Sequence, residues 1–126
     1  MNILITGSTM EEQIQDTYKI LYDFLTTTFN AKVHTPLDTI KFKGTNEERV
    51  KRAFDLVDIA DVIVADVSYP SHGQGIELHY ALTKNKKIIL IAKENSKVSG
   101  VVTGLFGTPF YYNSTDDLIK FLNSKI

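Results

Sequence analysis

Asp61-Val62-Ile63-Val64-Ala65-Asp66 is a nearly continuous apolar run closed at both ends by a carboxylate. A strand without polar and apolar alternation is covered on both faces, the condition of a central strand in a parallel sheet. On its N-terminal side, Thr45-Asn46-Glu47-Glu48 has the form of a capping box. It predicts a helix to about Ile59 that buries Val50, Phe54 and Val57. Further upstream, Asn2 to Thr6 reads as the first strand, and Gly7-Ser8-Thr9 turns it into a helix. The apolar positions Ile14, Tyr18, Leu21, Leu25 and Phe29 of that helix keep 3.6-residue spacing. Ala31 to Thr35 is the second strand, and Pro36 to Gly44, the least periodic part of the chain, reads as a loop over the site.

On the C-terminal side of the central run, Ser68 to Gly75 reads as a turn leading into a helix through Glu77, Tyr80 and Leu82. Lys87 to Ala92 is the fourth strand, Ser96 to Leu105 a short helix, Pro109 to Tyr112 an edge strand, and Thr115 to Leu122 the closing helix. Strands alternating with helices define βαβ units. The expected fold is therefore α/β: a doubly wound, flavodoxin/Rossmann-like five-stranded parallel sheet with five helices spread over both faces. Its ligand crevice belongs at the carboxyl ends of the strands, where the connections change direction.

The composition fits one globular domain over residues 1–126: 43% of residues are apolar, 23% charged, and there is no cysteine. A chain of this length buries roughly two-thirds of its unfolded surface and needs no disulfide or metal staple. Met1 to Thr6 lacks a basic leader and runs straight into a glycine turn, so it reads as a strand and not a signal peptide, and the expected location is cytoplasmic. No apolar run approaches the roughly 20 residues that cross a bilayer, so no membrane association is expected. The net charge of −1 leaves no basic surplus for a nucleic-acid polymer, but a small anionic ligand fits. The three histidines, His34, His72 and His79, are scattered, and no metal or other cofactor is expected.

Three segments fall at the carboxyl edge. Gly7 and Ser8 would present backbone N–H groups and a hydroxyl at a helix start, as an anion cradle or as an ordinary capped turn. Ser71-His72-Gly73-Gln74-Gly75-Ile76-Glu77 places two glycines, which let a ligand approach the backbone, before a first-turn carboxylate. Glu77 there either complements the helix dipole or faces the crevice as a nucleophile or base. The third segment is the helix start at Ser99. Asp66, ending the central strand, would accept hydrogen bonds from the turn or contact sugar hydroxyls. His72 would touch phosphate, protonate a leaving base, or stand exposed.

The stretch Ala60 to Leu78, with Pro70, Ser71, Gly73, Gly75 and Glu77 in order, resembles the nucleoside 2-deoxyribosyltransferase superfamily. It is most similar to the branch of 2′-deoxynucleoside 5′-monophosphate N-glycosidases, whose signature after the central strand is Pro-Ser-x-Gly-x-Gly-x-Glu. Gly7-Ser8 and Val98-Ser99-Gly100 extend the resemblance over most of the chain. The resemblance implies that residues 1–126 form one such domain and that Glu77 is the nucleophile. It also implies that Ser71 and the Gly7-Ser8 loop contact a nucleotide's 5′-phosphate, with Gly73 and Gly75 among the substrate-binding residues. Ser99 would reach the neighbouring subunit's site, so the implied assembly is a homodimer with shared active sites. The implied reaction hydrolyses the N-glycosidic bond through a covalent glutamyl-sugar intermediate, as in retaining glycosidases. The true deoxyribosyltransferases carry acidic residues where this chain has Ser71 and His72; a serine can donate to phosphate, and the difference favours nucleotide over nucleoside.

The chain departs from the family at two positions. Ala53 stands where the family has an aspartate that helps place the glutamate and substrate; Asp55, about 200° further around the helix, would serve as an acid or base in its stead only if the helix shifts or ends early. Leu4 stands where the hydrolase branch often has an aromatic residue. Base exchange and non-catalytic nucleotide binding both remain open on these residues. A receiver domain would need an acidic pair after the first strand, which Thr6-Gly7-Ser8 does not supply. A flavin binder would usually bring aromatic loops, and the chain has no Trp.

Overall fold

The computed structural model describes residues 1–126. The elements follow in the order β1 (Asn2–Thr6), α1 (Glu12–Phe29), β2 (Lys32–His34), α2 (Pro36–Lys41), α3 (Asn46–Ile59), β3 (Val62–Asp66), α4 (His72–Thr83), β4 (Lys87–Lys93), α5 (Gly100–Phe106), β5 (Phe110–Tyr112) and α6 (Thr115–Lys125). The five strands are parallel and lie in the order β2-β1-β3-β4-β5. The predicted central run supplies the middle strand, Val62–Asp66, buried at every residue, while Asp61 lies exposed before it. The fold is the doubly wound α/β arrangement expected from the alternation, with its switch point between β1 and β3.

Both faces of the sheet are covered because successive side chains of each strand point to opposite sides. Ile3, Ile5, Val62 and Val64 pack with Tyr18, Leu21 and Leu25 of α1 and with Leu118 and Leu122 of α6. Leu4, Ile63 and Ala65 pack with Val57 of α3 and with Leu78 and Ala81 of α4.

Six helices form where five were expected. The additional one is α2, inside the segment read as a loop over the site. Thr35 caps it by accepting the Leu37 N–H at 3.1 Å, Asp38 returns a bond to the Thr35 N–H, and Pro36 occupies the first turn, where its missing N–H costs nothing. The first helix starts at Glu12, not directly after Thr9, and neither Ser8 nor Thr9 caps it. The fourth helix starts at His72, so Gly73 and Gly75 are helical and Glu77 lies in the second turn. Ser71 causes this early start by accepting the Gln74 N–H as the N-cap. The capping box at Thr45 and Glu48 forms as expected. Of the α3 residues expected in the core, Val57 is buried, Phe54 is half-buried against Tyr80, and Val50 is exposed. The helix expected over Ser96–Leu105 is confined to Gly100–Phe106.

Candidate active site

A cavity of about 190 Å³ opens at the carboxyl ends of β1 and β2. Thr6 and Gly7 form its floor, Thr35, Thr39 and Phe42 one side, Arg49, Arg52, Ala53 and Leu56 of α3 a second, and Ser71, Gly73, Gln74 and Glu77 of α4 a third. The position of α4 is fixed by Gln74, only 4% exposed. Its Nε2 donates to Thr6 Oγ1 at 3.1 Å and to the Asp66 carbonyl at 2.9 Å. One side chain therefore ties the first turn of α4 to the ends of both strands at the switch point. Gln74, Leu78 and Ala81 share the buried face of α4, which turns Gly73 and Glu77, four residues apart, toward the cavity.

Burial pushes the Glu77 carboxyl up to about 7, and the nearby Arg52 guanidinium partly offsets this. A carboxylate withdrawn from water at a cavity wall is a typical functional group. It also costs stability. The native state holds the Glu77 proton more tightly than the unfolded chain, so this contribution is fully present below about pH 4.5 and is lost as pH rises through about 7. The difference amounts to about 3 kcal/mol. Glu77→Gln keeps the shape of the protonated form and should melt several degrees higher than the parent at pH 8. The two melting curves should converge near pH 4.5. Equal melting temperatures at pH 8 would show that the carboxyl is not desolvated.

Not all the residues singled out in the sequence come together. Gly7, Ser71, Gly73 and Glu77 line the cavity. Gly7 is required there, since a Cβ would stand 2.1 Å from the Tyr18 hydroxyl, which donates to the Ser8 carbonyl at 2.8 Å. Ser8 itself is buried away from the cavity, its Oγ accepting the Met10 N–H at 3.2 Å. With α1 starting four residues later, Gly7 and Ser8 are not at a helix N-terminus. Asp66 is fully buried. Its carboxylate accepts from the Ser68 N–H at 2.9 Å, the Ser68 hydroxyl at 2.5 Å and the Tyr112 hydroxyl at 2.6 Å, the turn-bonded alternative of the two open for it. Asp55 pairs with Lys51 on the exposed side of α3 and does not line the cavity. Ala53 lines the cavity. His72, Gly75 and Ser99 line a separate hollow of about 670 Å³ between α4 and α5, which Ser71 also borders.

Among the wall residues that the sequence did not single out are Gln74, Arg49 and Arg52. Gln74 could have been found as a polar residue in register with Leu78 and Ala81. Arg49, Arg52, Ala53 and Leu56 have the i, i+3, i+4, i+7 spacing of one helix face. Nothing in that spacing alone says what the face meets.

No family model matches the chain. It is 36% identical over 87 residues to a protein of Thermofilum pendens named as a 2′-deoxynucleoside 5′-phosphate N-hydrolase, an alignment covering 65% of this chain and 61% of that protein. It is 31% identical over 84 residues to the 5-hydroxymethyl-dUMP N-hydrolase of Danio rerio, covering 62% and 59% of the two chains. The chain thus spans about three fifths of the length of these curated relatives. The CMP N-glycosidase of Clostridium botulinum has the same fold, with a TM-score of 0.79 over all of both chains at 22% identity. The 2-deoxyribosyltransferase of Leishmania mexicana shares the fold as well, with a TM-score of 0.69 at 17% identity. In sequence the chain is thus similar to proteins named as 2′-deoxynucleoside 5′-phosphate N-hydrolases.

Proposed function

We propose that the protein is an enzyme that hydrolyses the N-glycosidic bond of a nucleoside 5′-monophosphate, releasing free base and sugar 5-phosphate, with Glu77 as the covalent nucleophile. The observation that carries this reading is the Glu77 carboxyl itself, desolvated at the wall of a cavity at the sheet's switch point. A carboxylate beneath C1′ stabilises the oxocarbenium-like state and then bonds C1′, and water releases the sugar. The 5′-phosphate would lie toward Ser71 and Gly7. The Ser71 hydroxyl accepts the Gln74 N–H and still has its own proton to donate, while the start of α4 supplies a favourable dipole. The names of the sequence relatives support a nucleotide as substrate.

A homodimer would bring Ser99 of a second copy to this phosphate. Around the hollow that Ser99 borders, Ile76 and Val101 are 60% and 74% exposed, an apolar surface suited to burial against another copy. No helix is long and apolar enough to cross a membrane. Incubating the protein with deoxy- and ribonucleoside monophosphates and separating the products by chromatography tests the reading. Free base and sugar phosphate are expected; a new nucleotide formed only when a second base is supplied would point to transfer, and absence of base release from every monophosphate would overturn the assignment.

A further inference from the structure

Two guanidinium groups border the Glu77 cavity, and neither has a carboxylate partner. The chain's one ion pair joins Lys51 to Asp55. Arg49 donates from Nη2 to the Phe42 carbonyl at 3.2 Å, and Arg52 from Nη1 to Thr39 Oγ1 at 3.3 Å. Both guanidiniums lie over the Phe42 ring, 5.5 and 5.4 Å from its centroid. A guanidinium has five N–H donors, so most of this donor capacity is unused within the chain.

Their height in the cavity follows from helix register. Phe54 of α3 stacks on Tyr80 of α4 at 4.3 Å. Both helices run away from the carboxyl edge of the sheet, and Glu77 lies one turn above Tyr80, which sets it level with Arg52; Arg49 lies a turn nearer the rim. With C1′ placed over Glu77 and the phosphate at Ser71, the rest of the cavity, toward α2 and α3, is bordered by Phe42, Arg49 and Arg52.

A base that leaves C1′ takes the bonding electron pair with it. It must be protonated or have its charge held elsewhere. Among the side chains lining the cavity, the charged or titratable ones are Glu77, Arg49 and Arg52; with Glu77 committed to C1′, none is an acid of suitable strength. Ala53, where a carboxylate would oppose a departing anion, has no charge.

We propose that Arg52, with Arg49 beside it, donates to the carbonyl oxygen next to the glycosidic nitrogen of the leaving base and holds its developing negative charge, so that the preferred substrates are pyrimidine monophosphates. This rests on Glu77 acting as the nucleophile. As the C1′–N1 bond breaks, its electron pair moves to N1 and is shared with the carbonyl oxygen, while Glu77 forms the ester bond to C1′. Water then attacks C1′, Glu77 departs with the ester electron pair, and the proton from water ends on the base. Preorganised donors aimed at charge that appears only in the transition state raise the rate without tightening substrate binding.

The test compares release of uracil from dUMP with release of 5-fluorouracil from 5-fluoro-dUMP, whose base leaves more readily as an anion. Arg52→Gln should slow release from dUMP on the order of 10²-fold and release from 5-fluoro-dUMP by less than about tenfold, the deficit shrinking as the leaving group improves. Arg52→Lys should recover part of the loss, and inhibition by deoxyribose 5-phosphate should not change in either variant. Equal losses on the two substrates, weaker inhibition by the sugar phosphate, or parent turnover of dAMP as fast as dUMP would overturn the role for Arg52. If base release by the parent survives Glu77→Ala, or the parent releases no base at all, the nucleophile reading fails together with this one.

Discussion

Glu77→Ala should lower base release on the order of 10⁴-fold or more, the scale on which nucleophile removal acts in covalent catalysis. The variant should fold as well as the parent at neutral pH. That combination is unusual for a largely buried residue, and it follows from the energetics of the site. The Glu77 carboxyl is held up at about 7 by burial, so its ionised form is a burden on the native state, which loses little when the group is removed. Glu77→Gln should be as inactive as Glu77→Ala, because an amide of the same shape cannot form the sugar ester. In the parent, release of base should rise as pH passes upward through about 7, where Glu77 loses its proton. Product chromatography alongside thermal melts checks all of these. An active Glu77→Ala protein with a normal melt would remove Glu77 from the mechanism.

The second large effect is expected at the phosphate end. Ser71→Ala or Ser99→Ala should weaken use of a 5′-monophosphate by roughly 1.5–3 kcal/mol, about tenfold to 150-fold, while use of the corresponding nucleoside barely changes. The two variants should differ in stability. Ser71 caps α4, and its loss should cost about 1 kcal/mol; Ser99 makes no side-chain cap bond and should cost little. If Ser99 serves the other protomer's site, mixing Glu77→Ala with Ser99→Ala protein should restore activity. Each hybrid dimer would then hold one site with both residues intact. Failure of complementation under conditions where subunits exchange, or full activity of a monomer in sedimentation, would place Ser99 outside the site.

The middle of the sheet was legible because the information was local. An unbroken apolar run sets β3, a capping box sets the start of α3, and 3.6-residue spacing sets α1. Errors arose where one residue type serves two purposes. Pro36 breaks a helix from within but fits its first turn, so α2 read as a loop. Gly73 and Gly75 resemble a turn, yet they follow a serine that had already started the helix. The candidate site divided along the same line. Glu77, Ser71 and Gly7 lie in recognisable local strings, whereas the role proposed for Arg52 depends on a residue 25 positions away in α4. Asp66 reads as a plausible sugar contact until Tyr112, 46 positions away, is seen to bond its carboxylate. Partners of that kind are set by the packing of elements, not by spacing within one.

The two glycines of α4 bear on how the site could be altered. Neither has a positive φ, a Cβ at 73 would meet only Glu77 Oε1 at 3.9 Å, and one at 75 would meet nothing within 4 Å. The protein's own packing does not require them, and alanine is the better helix former by up to about 1 kcal/mol. A methyl group added at 73 would narrow only the space immediately before the carboxyl. It would act as a gauge of depth: a ligand that binds the parent but not Gly73→Ala must lie against the α4 backbone, and one indifferent to the change occupies only the outer part of the cavity.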